Sequence, residues 1–430
     1  MGRSNGDLIK ECQSRGIKLP ESKLHSKDMI KLLSQDSIEK RGGWNNLSWG
    51  MQQRLQLDDL MLCYPYKHMK PEQQNDCMTS DEWIAERKLN GCRMLITYHQ
   101  QEGFGFFSRN ISVKDFLPVD YTEKILLRYQ GELLEAGDLK FKELFDQAFV
   151  LDAEALCDEA HIDTKRYTPG GKGGTITGKK LNAVITILAI EKEISHRIQR
   201  EQAQLNLVVF DCVMYGLEEL RHTSLKKRMF YRKHSLRMLS DQGILMKLVD
   251  SNIDWGVSKQ DFYDQVLLGG DEGIVLKNLK SEYDMTGHRT RTGFVKRKRS
   301  VKEVRGADID AFVTGFVPSN PKNAWAHLIG GLEMSVILVD KDGNERQKCI
   351  AVVAAMTMEM RKSLTTYDEG GRPQLNPEAL GRVLVVNGQD CSAKAERFMH
   401  AVADWDRGFR DDKTYVDCRM DESFLNSQIL

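Results

Sequence analysis

Residues 86–93 read ERKLNGCR, with Lys88, Gly91 and Arg93 in the order Lys-x-x-Gly-x-Arg. The octet stands between a helix-like segment and a strand-like run, CRMLITYH at 92–99. Lys88 is a chemical candidate because a neutral amine is a nucleophile. A free lysine has a pKa of about 10.4 and is protonated at pH 7, so nearby cations or a metal must expose the amine. Three fixed positions in six residues also recur in ordinary surface turns. The rest of the chain has to decide between the two.

Outward from this octet, strand-like runs follow at 148–156 (AFVLDAEAL), 205–215 (LNLVVFDCVMY) and 272–278 (EGIVLKN). One helix is expected over NAVITILAIEKEISHRIQREQ, 182–202. From about residue 303 strand signals dominate: IDAFVTGFV (309–317), EMSVILVD (333–340), CIAVVAAMT (349–357) and RVLVVNGQD (382–390). Asp342-Gly343 is a hairpin turn by its composition. Upstream, Asp7–Ser14 carries Leu8, Ile9 and Cys12 on one face, with Gly16 as a stop. A second helix capped by Ser26 presents Met29, Ile30, Leu32 and Leu33. The segment RGGWNNLSWG (41–50) is turn-rich and reads as a linker. The expected organisation is α+β: a helical module at 1–38, a linker at 39–57, a mixed domain at 58–302 and a strand-rich domain at 303–430, suggesting a small β-barrel.

Further short motifs follow in order. They are SRN (108–110), LDAE (151–154), VVFDCVMY (208–215), DEGIVLK (271–277), FVKRK (294–298) and FRDDKT (409–414). Together with ERKLNGCR, this ordered set resembles the covalent nucleotidyltransferases, the superfamily of DNA ligases, RNA ligases and capping enzymes, and most closely the ATP-dependent DNA ligases of phage and bacterial type. The resemblance spans roughly residues 60–415. It implies an adenylation domain of antiparallel sheets and helices followed by an OB-fold domain. It further implies Lys88 as the residue that becomes adenylated. Glu86, Arg93, Arg109, Glu154, Phe210, Lys296, Lys298, Arg410 and Lys413 would bind nucleotide, and Glu154 and Glu272 would hold the metal. Asn90 stands where the family usually has Asp. That departure keeps open an RNA ligase, or one acting on mixed DNA–RNA ends, as the alternative.

Adenylyl transfer asks for these residue types. Lys296 and Lys298 alternate along a strand, so both can face one cleft, neutralise a phosphate and discourage protonation of Lys88. Glu154 and Glu272 are hard oxygen donors suited to Mg²⁺ or Mn²⁺ shared with phosphate. Phe210 offers a flat face for adenine, although a phenylalanine in an apolar run is equally a core residue. Either carboxylate, taken singly, reads as a strand-end ion pair.

Formal net charge is zero, so whole-chain charge says nothing of nucleic acid. Lys and Arg do cluster at 220–238, a solvated face or a phosphate-binding one, and at 287–305, where Gly293, Phe294 and Val295 interrupt them. Residues 8–35 resemble a SAP motif, a DNA-binding helical pair, with Lys18, Lys23 and Lys27 as phosphate contacts. GGTITGKK (173–180) approaches a P-loop, but Lys180 replaces the hydroxyl that would hold Mg²⁺. It reads as a glycine-rich loop whose Lys172, Lys179 and Lys180 are candidate backbone contacts. Nine scattered cysteines without a CxxC pair indicate neither a zinc site nor a disulfide framework, and set the chain apart from NAD-dependent ligases. No run of 18 apolar residues and no apolar leader are present. The expectations are a cytoplasmic monomer, in a bacterial cell or phage-infected host, acting on nicked duplex DNA and ATP without a membrane.

Overall fold

The computed structural model describes residues 5–19, 25–57, 59–167, 175–176, 180–269, 271–298, 309–321, 323, 325–387, 390–392, 397–399, 401–405 and 407–422. The chain divides into two compact units, Met1–Lys298 and Arg299–Leu430. The N-terminal helices fall within the first unit.

Helices α1 (Asn5–Ser14) and α2 (Ser26–Lys40) bury Leu8, Cys12, Met29 and Leu33 in one small core. Phe116, from the first unit's sheet region, completes that core. Ser26 is the first helical residue and not the cap. Its hydroxyl donates to Asn5 (2.5 Å), while the Asp28 carboxylate accepts from the N–H of His25 (3.1 Å). Lys23 lies outside the described residues.

The expected linker is instead structured. A 3₁₀ turn at Trp44–Asn46 leads into α3 (Trp49–Gln56), which Ser48 caps by accepting from the N–H of Met51 (3.2 Å). Leu47, Met51 and Leu55 recur at four-residue spacing and pack with Phe107, and the Trp49 ring stacks on His99 at 5.1 Å. The Gly-Gly and Asn-Asn pairs drew attention to turns and away from this apolar stripe.

Two mainly antiparallel sheets form the centre of the first unit, each with one parallel pair at its margin. The smaller has four strands, in which β1 (Trp83–Arg87) borders a strand at Gly273–Asn278, followed by Phe294–Lys298 and Tyr64–Pro65. The larger has seven, with β2 (Cys92–His99), β3 (Gly103–Ile111), β4 (Phe149–Cys157) and a long strand at Leu205–Tyr215 among them. Strand alternation gives the larger sheet two working faces. Met94, Ile96, Tyr98, Leu151 and Ala153 face the main core. Leu95, Val150 and Val213 face the smaller sheet, meeting Ile84 and Phe294.

The helix expected at 182–202 is two: α4 (Lys180–Ala189) and α5 (Lys192–Glu201). The Lys124 ammonium accounts for the stop, donating to the carbonyls of Leu188 (3.1 Å) and Ile190 (2.5 Å) at the end of α4. The strand at Leu205–Tyr215 is β5. Helix α6 (Leu225–Asp241) follows and buries Leu225, Arg228, Arg232, Ser235 and Leu239 along one stripe. Strands β6 (Gly273–Asn278) and β7 (Phe294–Lys298) complete the smaller sheet. Most of the glycine-rich loop lies outside the described residues. The backbone of Thr175–Ile176 pairs with Ile162–Asp163, and Lys180 opens α4.

The second unit holds an eight-stranded sheet centred on β8 (Ile309–Pro318), β9 (Ile329–Val339) and β10 (Glu345–Val353), with β11 (Val383–Asn387) on the far side of β8. Asp342-Gly343 does turn the β9–β10 hairpin. Gly343 has φ +80°, and pairing resumes at Val339 with Glu345. Pairing from the first residue after the turn starts β10 before the expected Cys349. β10 ends at Val353, and Thr357 caps a short helix, Met358–Ser363. Among the described residues no helix is long and apolar enough to cross a membrane.

Candidate active site

Between the two sheets of the first unit lies a cavity of about 570 Å³. The smaller sheet supplies one wall by strand alternation. Pairing sets Val275 between Glu86 and Lys296, and Lys277 between Ile84 and Phe294. Glu86, Lys88, Val275, Lys277, Phe294 and Lys296 therefore share a face and line the cavity. The N–H of Lys88 donates to the carbonyl of Gly273 (2.8 Å), which extends the ladder one step past β1 and fixes where the side chain leaves the sheet.

The Lys88 ammonium makes an ion pair with the Glu272 carboxylate, whose other oxygen holds Lys298. Burial opposes ionisation of Glu272, but Lys88 and Lys298 outweigh it and hold its pKa below the ordinary value. Lys88 therefore faces an anion first. Of the lysine pair expected around it, Lys298 is bound to the same carboxylate, while Lys296 lines the cavity wall. Burial, with Arg289 and Lys298 nearby, lowers the pKa of Lys296.

The larger sheet supplies the opposite wall. Arg93 of β2 grips Asp152 of β4 in a fork, Nε to Oδ1 at 2.9 Å and Nη2 to Oδ2 at 2.5 Å. It also donates to the carbonyl of Met61 (2.7 Å) and to the Tyr283 hydroxyl (3.2 Å). Tyr283 in turn donates to Asp152 (2.5 Å). Neither Asp152 nor Tyr283 stands out in the sequence. The available signal for Asp152 was its place two residues before Glu154, on the same strand face. Gly91 of the lysine motif packs where a Cβ would collide with the backbone carbonyl of Ala155, so the motif needs a residue without a side chain.

Phe210 lines the cavity because β5 carries a bulge there. Val209 pairs with Ala153 and Asp211 with Asp152, which leaves Phe210 as the extra residue. Consecutive residues thus serve the same side: Phe210 faces the cavity, and Asp211 pairs with the buried Arg228. Arg93 and Lys277 sit 5.3 and 4.9 Å from the Phe210 ring centroid. Glu86 lines the wall, but its carboxylate is taken by Arg232 (2.7 Å) and Lys277 (2.5 Å), all three residues being buried. Arg109 lines the cavity from the end of β3, with its side chain exposed, and Arg289, from the 287–305 basic stretch, joins it. Asn90 is exposed.

Glu154 accepts one bond, from the N–H of Gly91 (3.1 Å). Its partial burial, only partly offset by Arg93 and that N–H, raises its pKa to about 7. The folded chain then binds a proton here that the unfolded chain has already lost. Stability therefore falls as pH rises from about 4.5 to about 7, by at most roughly 3 kcal/mol, and is level above. Glu154→Gln is expected to melt above the parent chain at pH 8, with the gap closing toward pH 5. Urea titrations at the two pH values check this, and a gap indifferent to pH contradicts it.

Arg410 and Lys413 belong to the second unit. There Arg410 forks onto Asp412 (2.7 and 2.6 Å) and approaches Asp310 (3.5 Å), and Lys413 pairs with Asp310.

The model of the ATP dependent DNA ligase domain family matches residues 60–298. No curated protein matches the sequence. Among solved structures, a mycobacterial DNA ligase D complexed with ATP and MES is 16% identical. The match covers 84% of this chain and 96% of that one, with a TM-score of 0.32. The ATP-dependent DNA ligase of bacteriophage T7 in complex with ATP is 13% identical, with 80% and 97% covered and a TM-score of 0.37. The Chlorella virus DNA ligase-adenylate is 13% identical, with 83% and 99% covered and a TM-score of 0.31.

Proposed function

This chain belongs to the family of ATP-dependent DNA ligases, whose domain accounts for residues 60–298, and on that footing we propose that Lys88 takes up AMP and that the cavity around it is where ATP reacts. The enzyme uses ATP to seal nicks in DNA. The observation that carries the assignment of Lys88 is its ion pair with Glu272 at a cavity lined by Lys296, Phe210 and Arg93.

In the first step the Lys88 amine attacks the α-phosphorus. A nitrogen–phosphorus bond forms, the bond to pyrophosphate breaks, and the proton released from the amine passes to water beside Glu272. Lys296 neutralises phosphate charge, and the ring of Phe210 receives the base. Adenylation removes the positive charge of Lys88, so Glu272 then keeps Lys298 as its cation. AMP passes to the 5′-phosphate of the nick, and the 3′-hydroxyl displaces it. Arg410 and Lys413 are assigned to the nucleotide by the motif they form. Positioning and fixed charge supply most of the rate.

A divalent cation fits the donors present. Glu154 is a desolvated carboxylate with a single N–H partner among the described residues, and Glu272, whose oxygens hold Lys88 and Lys298, has one of them released when Lys88 loses its charge. Among the described residues no cluster of three or more His, Cys, Asp or Glu forms a cage. Mg²⁺ or Mn²⁺ would be held by Glu154 and Glu272 and would neutralise charge on the phosphate. The 303–430 region is proposed to be the OB-fold domain, on the strength of its run of sequential antiparallel strands. Helices α1 and α2 are proposed to bind DNA phosphates as a SAP-like pair through Lys18, Lys27 and neighbours, and the enzyme to act in the cytoplasm as a monomer.

The test is an adenylation assay with each of the four NTPs, followed by sealing of nicked DNA and nicked RNA side by side. Enzyme–AMP from ATP alone and sealing of DNA are expected. Sealing of RNA at an equal or higher rate would favour the RNA-joining alternative that Asn90 keeps open.

A further inference from the structure

Arg54 is a buried cation that the reaction scheme leaves unexplained. It sits on α3 and is only 2% exposed. Its hydrogen bonds go to backbone carbonyls: Nε to Ser108 (3.0 Å), Nη1 to Leu57 (2.9 Å) and Nη2 to Arg109. A guanidinium taken out of water without a carboxylate is costly, and a helix that needed only to fill space here would carry an apolar residue.

The sheet explains the expense. β2 pairs with β3 as far as Met94 with Ser108. On the other edge the ladder between β3 and the strand Pro118–Asp120 slips between Phe107 and Ile111. Arg109 and Asn110 thus fall where strand pairing lapses, and both are exposed at the cavity. Two side chains take over from the missing ladder. Ser108 Oγ donates to the carbonyl of Asn110 (2.6 Å) and accepts from the N–H of Val119 (2.8 Å). Arg54 holds the carbonyls of Ser108 and Arg109 from below. A planar fork with five donors can bind several carbonyls at once, and a lysine cannot.

We propose that Arg54 is a positioning residue for nick sealing: it replaces the absent strand, fixes the main chain at Ser108–Arg109, and so keeps the Arg109 guanidinium in the cavity wall. The proposal rests on reading that cavity as the nucleotide site. It assigns α3, which the sequence presents as a linker, a part in the reaction. A small displacement of a positioned group can cost up to about 100-fold in rate.

The experiment uses the full chain and the variants Arg54→Lys, Arg54→Met, Arg109→Ala and Arg54→Met with Arg109→Ala. Each is assayed for enzyme–AMP formation over a range of ATP and for sealing of a nicked duplex, alongside thermal melts and Lys88→Ala. Arg109→Ala and Arg54→Met are each expected to slow at least one step about tenfold or more, and the double variant to match Arg109→Ala within about twofold. A merely structural Arg54 would instead give a double variant slowed by the product of the two single effects. Arg54→Lys keeps the charge but loses the fork, and carries the test if Arg54→Met does not fold. It is expected to be several-fold slow with a cooperative melt. Wild-type rates in Arg54→Lys, a multiplicative double variant, or a silent Arg109→Ala would each overturn the proposal. Label persisting on Lys88→Ala would overturn the cavity reading itself, which separates the two failures.

Discussion

Lys88→Ala is expected to abolish the covalent enzyme–AMP while leaving the fold intact. Lys88 is partly exposed at the cavity, and its one charged partner among the described residues, Glu272, keeps Lys298 when Lys88 is lost. No carboxylate is stranded, so the melting transition should move little. Lys296 cannot substitute, since it lies on β7, across β6 from the strand that delivers Lys88. Lys88→Arg separates charge from nucleophilicity: it can retain the pair with Glu272, yet a guanidinium does not attack phosphorus at neutral pH. Both variants should fail to take label from ATP on a denaturing gel. Both should still seal a strand that already carries AMP on its 5′-phosphate, because that last step needs no lysyl intermediate. Labelling of either variant at wild-type level would remove Lys88 from the mechanism.

The second large effect is on stability. Arg228→Ala is expected to destabilise the first unit by about 3–5 kcal/mol, the usual cost of stranding one member of a buried pair. Arg228 and Asp211 are both fully buried, with Nε to Oδ1 at 2.9 Å. The same guanidinium ties the carbonyls of Thr223 (2.7 Å) and Ser281 (2.9 Å), so α6, β5 and the 281 segment share one side chain. One turn further, Arg232 bonds Glu86 and the carbonyl of Phe210 (2.6 Å). Helix α6 thus pins both sheets from behind the cavity, at Asp211 on the larger and Glu86 on the smaller. The adjacent Lys227–Glu218 pair is exposed, and Lys227→Ala should shift the urea midpoint far less. Replacing Arg228 and Asp211 together by Met and Leu should recover much of the loss, since no charge is then left buried. Equal midpoints for Arg228→Ala and Lys227→Ala would contradict this account.

Much of the smaller sheet was legible in the sequence because alternation leaves a clear trace. EGIVLKN emerged within one residue of its expected bounds, and CRMLITYH and LNLVVFDCVMY in the larger sheet kept theirs. What stayed hidden lies in three-dimensional pairing. The basic run at 220–238 reads as a solvated or phosphate-binding face. Charge alone does not reveal that Arg228 and Arg232 fall on the buried stripe with Leu225 and Leu239, where carboxylates from two sheets await them. A bulge has no composition of its own, so the reason Phe210 turns to the cavity is visible only in register. The stop of α4 comes from Lys124, a residue distant in sequence, and no proline or glycine marks it. Glu86, taken from the motif as a nucleotide contact, lines the wall with its carboxylate already spoken for by Arg232 and Lys277.

The central claim is that AMP from ATP rests on Lys88 on its way to DNA. Peptide mapping by mass spectrometry after incubation with ATP and removal of the unreacted ATP, before and after adding an excess of nicked duplex, tests it directly. One adenylyl group is expected on the peptide bearing Lys88, and it disappears on adding the nick as sealed strand and free AMP accumulate. AMP on another residue, or adenylated Lys88 that persists while the nick is sealed, would contradict it.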